Sequence, residues 1–71
     1  QSPLTERERQ VLALVAAGLT NREIGATLYM SPKTASVHVT HILAKLGVQS
    51  RVQAAAEAAR LGLTGHPEPP T

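Results

Sequence analysis

A chain of 71 residues has room for one small domain, whose apolar core is marginal at this length. It contains no Cys, Phe or Trp and a single aromatic residue, Tyr29, so disulfides and thiolate metal sites are excluded. The core must come from Leu, Val, Ile and Ala, which favours packed helices over a sheet. The net charge of +2 and pI of about 9.7 are a mild basic bias. From Thr20 to Arg51, however, Arg22, Lys33, Lys45 and Arg51 face the single acid Glu23, with His38 and His41 in addition. No apolar run approaches the roughly 20 residues needed to span a membrane. The first residues lead directly into a helix signal, with no sign of a signal peptide.

Four helices can be read from their start and stop signals. Thr5-Glu6-Arg7-Glu8 is a capping box that predicts a helix over 5–17, running through Val11, Leu12, Leu14 and Val15 to a stop at Gly18. Thr20-Asn21-Arg22-Glu23 repeats the box and opens a short helix over 21–28. Ser31-Pro32 is an N-cap followed by proline at the first helical position, predicting a helix over 32–46 that ends at Gly47. Ser50-Arg51-Val52-Gln53 reads as a third box, opening a helix over 51–61. The expected fold class is therefore all-α, a four-helix bundle over residues 1–64, with 65–71 a disordered Pro-rich tail. About three residues separate Leu28 from Ser31, and helices joined that tightly cross steeply, as in a helix-turn-helix. Gly25, inside the second helix, suits a close approach by the backbone of the third. The expected core is Leu4, Leu12, Val15, Ile24, Leu28, Val39, Ile42, Leu43, Leu46 and part of the fourth helix. Leu43→Ala is expected to cost about 2–5 kcal/mol.

The third helix poses the functional question. At 100° per residue, Ala35, Val39, Ile42, Leu43 and Leu46 fall within an arc of about 100°. Opposite the centre of that arc lies another apolar residue, Val37. Around it fall Lys33, Thr34, Thr40, His41, Ala44 and Lys45, with Ser36 and His38 at the boundary and no acid. A lone surface valine is ordinary. A small, basic, acid-free face with a methyl-bearing centre is what a helix needs to enter the DNA major groove: cations meet phosphates, and an apolar group can touch a thymine methyl.

The stretch LTERERQVLALVAAGLTNREIGATLYMSPKTASVHVTHILAKLGVQSRVQA, Leu4 to Ala54, resembles the LuxR/NarL/GerE-type helix-turn-helix of bacterial transcription regulators. The resemblance is carried by the ordered motifs GLTNREI, SPKT, HV and KLGVQSR. It implies a sequence-specific double-stranded DNA-binding domain with the third helix in the major groove. It also implies a homodimer on DNA paired through the fourth helix, and a C-terminal output domain of a larger bacterial regulator, cytoplasmic and nucleoid-associated. Carried over by position, Ser36, Val37 and Thr40 match base-contacting places. Lys33, Thr34, His38, His41, Lys45 and Arg51 match places that meet phosphates or support the helix. Glu8, Leu12 and Gly18 match structural places. Val52, Ala56 and Ala59 are the expected dimer contacts, weak in isolation. Ala35 and Ser36 stand where many members carry Val and a cation, and Thr40 where Lys or Asn is common, so this reading face has fewer cations.

Other chemistries find little support. His38 and His41 are three apart on one helix, but no carboxylate or Cys there completes a metal site. Glu8 has no evident catalytic partner; capping, with an ion pair to Arg51, is its expected role. No Gly-rich phosphate loop or nucleophile–base pair appears, so neither enzyme activity nor a cofactor is expected. The alternative to DNA binding is a helix-turn-helix used mainly for dimerisation or protein docking, to which the Ala-rich fourth helix is suited.

Overall fold

The computed structural model describes residues 4–63, which form four helices: α1 (Glu6–Ala16), α2 (Asn21–Leu28), α3 (Pro32–Leu46) and α4 (Arg51–Arg60). The tail expected over 65–71 lies outside the described residues. The helix starts follow the local chemistry. Thr5 Oγ1 accepts from the Glu8 amide at 3.1 Å while Glu8 Oε1 accepts from the Thr5 amide at 2.9 Å. Thr20 and Glu23 make the same reciprocal pair at 3.1 and 2.8 Å. Each box satisfies two amides that the first turn leaves without helical partners. At α4 only half of the expected box forms. Ser50 Oγ accepts from the Gln53 amide, but the Gln53 carboxamide accepts from the Gln49 amide rather than from Ser50. An uncharged Gln gains equally from either neighbouring N–H, and the bent chain at 49–50 presents the earlier one.

The helices end alike. A positive φ follows each helix, at the first residue beyond α2 and α3 and at the second beyond α1 and α4, and the next amide reaches back to a carbonyl five residues earlier. The pairs are Leu19 to Leu14, Met30 to Gly25, Val48 to Leu43 and Leu63 to Ala58, at 2.7–3.1 Å. Three of these left-handed positions are glycine; the fourth, ending α2, is Tyr29 at φ 61°.

α1 packs against α3 and α4, and α2 against α3. The buried core is Val11, Leu12, Val15, Ile24, Ala35, Val39, Ile42, Ala54 and Ala58. Leu4, Leu28, Leu43 and Leu46 line this core only half-buried, while Val11, absent from the expected core, is completely enclosed. In so small a bundle only the middle of each apolar stripe is covered on all sides. α1 faces both α3 and α4, and that places Val11 beside Leu12 at the centre. Alanine at 54 and 58 lets α4 come close, so the Ala-rich helix supplies the core by proximity rather than bulk. Gly25 is buried where the chain turns into α3: a Cβ there would lie 2.4 Å from the Met30 carbonyl oxygen. The close approach expected at Gly25 is thus made by the turn itself.

Candidate nucleic-acid interface

α3 presents two unlike faces. Ala35, Val39 and Ile42 are buried, whereas Lys33, Thr34, Ser36, Val37, Thr40, His41 and Ala44 are exposed, and His38 is half-buried at the edge. Val37 retains 45% of its surface, which for a valine at the middle of an exposed face is a full apolar contact left open. Two hydroxyls beside it are oriented by the helix. Thr40 Oγ1 donates to the Ser36 carbonyl at 3.1 Å, which leaves its lone pairs outward. Thr34 Oγ1 accepts from the N-cap hydroxyl of Ser31 at 3.0 Å, and that frees the Thr34 proton to donate elsewhere. The Ser31 hydroxyl in turn accepts from the Thr34 amide at 3.0 Å. The first turn of α3 is therefore rigid, and its N-terminal dipole favours an anion.

The cations divide into two sets. Lys33 on α3 and Arg22 in the first turn of α2 are exposed, with no acid bound to either among the described residues. Arg22 had no assigned role from sequence; its signal was a cation at the second position of a capped helix. Lys45 and Arg51 turn inward. Lys45 Nζ donates to Glu8 Oε1 at 2.8 Å, joining α3 to α1. Arg51 donates to Asn21 Oδ1 at 2.7 Å and to the Leu19 carbonyl at 2.8 Å, joining α4 to the start of α2. The expected Glu8–Arg51 pair is thus replaced by Glu8–Lys45, because α1 crosses α3 near its C-terminal end while Arg51 sits over the α1–α2 loop. Both long side chains brace the α2–α3 unit rather than simply hanging from its surface.

Glu8 is the buried charged residue of the core, at 5% exposure. The Lys45 ammonium, and next the Thr5 amide, hold its carboxyl below the ordinary glutamate value, outweighing the opposing effect of burial. A carboxylate whose folded value is depressed adds stability above its unfolded value and loses it as the pH falls through the folded one. Lys45→Met leaves this carboxylate enclosed with only Thr5 to hold it. Because Lys45 itself is a quarter exposed, the expected cost at neutral pH is about 1–3 kcal/mol, below that of a fully buried pair. The penalty should shrink as the pH is lowered below the ordinary glutamate range, where Glu8 can be neutral. Urea melts of both proteins between neutral and acid pH check this; a pH-independent difference would contradict it.

On α4 the expected dimer residues Val52, Ala56 and Ala59 are exposed, Val52 to 79%. Glu8 and Leu12 are buried, and Gly18 supplies the left-handed stop of α1. Among the described residues no three His, Cys, Asp or Glu side chains are grouped to hold a metal, and no helix is long and apolar enough to cross a membrane.

This arrangement has close relatives. The chain is 51% identical over 57 residues to the transcriptional regulatory protein LiaR of Bacillus subtilis, covering 80% of this chain and 27% of LiaR. It is 51% identical over 55 residues to the transcriptional regulatory protein UhpA of Salmonella typhimurium, covering 78% of this chain and 28% of UhpA. It also matches mycobacterial proteins described as HTH-type transcriptional regulators, at 52% identity over 59 residues, and spans only 7% of their length. The fold superimposes on the structure of the transcription factor GerE with a TM-score of 0.76 and 38% identity, covering 89% of this chain and 94% of GerE's. Residues 2–58 match the family described as bacterial regulatory proteins, luxR family. The capped helices, the tight α2–α3 turn and the two-faced α3 are therefore those of a LuxR-type helix-turn-helix domain, and the chain belongs to the luxR family of bacterial regulatory proteins.

Proposed function

We propose that the domain binds double-stranded DNA sequence-specifically with α3 in the major groove, as the output domain of a longer bacterial transcription regulator working in the cytoplasm at the nucleoid. The observation that carries this reading is Val37, open at the centre of an acid-free face whose opposite side is core. Ser36, Val37 and Thr40 read bases. Lys33, Thr34, His38 and His41 meet phosphates around them. Lys45 and Arg51 act first by bracing α3 and α2, and second through whatever charge they present to the backbone. Two domains pair on DNA through Val52, Ala56 and Ala59, so the operator carries two half-sites related by a two-fold axis. A single small helix face is too little for a strong dimer off DNA.

The testing experiment is a binding titration on a preferred operator and on random duplex at several salt concentrations. Lys33→Ala should weaken binding to every duplex alike and flatten the salt dependence by about one unit of slope. Val37→Ala should leave the slope unchanged and cost roughly 1 kcal/mol on the operator. That cost should shrink when the contacted thymine is replaced by uracil, which lacks the methyl. Binding should saturate cooperatively at two domains per operator. If uracil substitution and Val37→Ala prove additive at every operator thymine, Val37 reads no methyl. Failure to retard any duplex at low salt would favour the docking module instead.

A further inference from the structure

Tyr29 stands in the turn between α2 and α3, the one residue other than glycine that holds a positive φ among the described residues. The equivalent position ending each other helix is glycine, with open space around it. Glycine takes this conformation freely, whereas a side chain is crowded against its own backbone. Such a cost is usually offset by packing or a hydrogen bond, but Tyr29 has neither: it is 95% exposed, and its hydroxyl meets no partner among the described residues. The largest side chain at the surface thus occupies a disfavoured conformation with no return inside the fold. Strain of that kind points to a contact outside the domain.

The surroundings indicate which contact. Tyr29 is two residues before the N-cap Ser31 and four before Lys33, in the turn that joins α2, which carries the exposed Arg22, to α3. Glu23, the one acid between Thr20 and Arg51, has its carboxylate engaged by the Thr20 amide. When a helix of this kind enters the major groove N-terminus first, the elements preceding it cross the sugar-phosphate backbone at the rim. Tyrosine hydroxyls are among the donors that phosphates accept there.

We propose that Tyr29 is a backbone-positioning contact whose hydroxyl donates to a DNA phosphate at the rim of the groove entered by α3. This rests on the DNA-binding reading and adds a residue outside the helix. A neutral donor to phosphate has a signature that neither a cation nor a base reader shares. It displaces no counterion, so it leaves the salt slope alone, and it carries no sequence information.

The test compares the 71-residue chain with Tyr29→Phe and Tyr29→Gly, measuring thermal midpoint and DNA affinity for each. Tyr29→Phe should keep the midpoint and lose about five- to tenfold in affinity on operator and random duplex alike, at unchanged salt slope. Tyr29→Gly should raise the midpoint by several degrees yet bind as weakly or more so. Opposite signs in stability and binding are something a purely structural residue cannot produce. Because Tyr29 is the single aromatic residue, 3-fluorotyrosine gives one fluorine resonance, which should shift on adding duplex. Wild-type affinity in Tyr29→Phe overturns the proposal while leaving the DNA-binding reading intact, and unchanged binding by both variants shows that Tyr29 serves no DNA contact at all. A wild-type chain that binds no duplex overturns both.

Discussion

Gly25→Val is expected to unfold the domain or leave it barely folded. A Cβ at Gly25 would lie 2.4 Å from the Met30 carbonyl oxygen, 3.2 Å from the Ser31 carbonyl carbon and 3.4 Å from that of Met30. All three are backbone atoms, so no rotamer change relieves the clash. The turn would have to move, and with it the Met30 amide that donates to the Gly25 carbonyl at 2.9 Å. Beyond that turn lies the N-cap of α3, so the shift is transmitted to the whole proposed reading helix. Overpacking a core commonly costs about 1–3 kcal/mol, and more where backbone must shift. A domain of this size has a total of roughly 4–10 kcal/mol. A β-branched residue adds two methyl groups to the clash, and Gly25→Ala should fall between it and the wild type. Circular dichroism melts in urea measure the loss. A Gly25→Val protein within about 1 kcal/mol of wild type would show that the turn yields easily and that the close approach constrains nothing.

The second large effect is expected for Leu12→Ala, a loss of about 2–5 kcal/mol. Leu12 is completely enclosed, near the centre of the helix that packs against both α3 and α4. Its truncation removes apolar burial and leaves a cavity that rigid helices close only in part. Leu43→Ala, for which the apolar stripe alone suggested the same figure, should cost less, about 1–2 kcal/mol, because Leu43 is half-buried and solvent already reaches it. Chemical denaturation of the two variants side by side decides the order. Equal losses would mean that the stripe, and not enclosure, sets the energy.

The helix boundaries were legible because each is decided within about four residues. Thr5 with Glu8, Thr20 with Glu23, and Ser31 with Pro32 satisfy first-turn amides locally, and glycine at 18 and 47 makes the left-handed stop at little cost. α2 and α3 therefore occupy 21–28 and 32–46 as expected. The two faces of α3 were legible for a similar reason: helical periodicity follows from residue spacing alone. The box at Ser50 shows the limit even of local chemistry, since a neutral Gln53 had two equivalent amides within reach and took the one at Gln49.

What spacing along the chain could not decide is where long side chains end. Lys45 and Glu8 are 37 residues apart, and Arg51 is 30 from Asn21. On a helical wheel Lys45 belongs to the polar face that would meet phosphate, and Arg51 is one more cation in a basic stretch. Only the crossing of α1 over α3, and of α4 over the α1–α2 loop, brings an acid and an amide oxygen within reach and turns both cations into braces. The same crossings enclose Val11 and leave Leu43 at the rim, since enclosure depends on how many helices meet at a point. Tyr29 is the residue where the two levels conflict. Its sequence position predicts a helix end, where glycine is the easy choice. The short turn into α3 imposes a left-handed backbone there whichever residue is present, and so leaves this one aromatic ring in solvent.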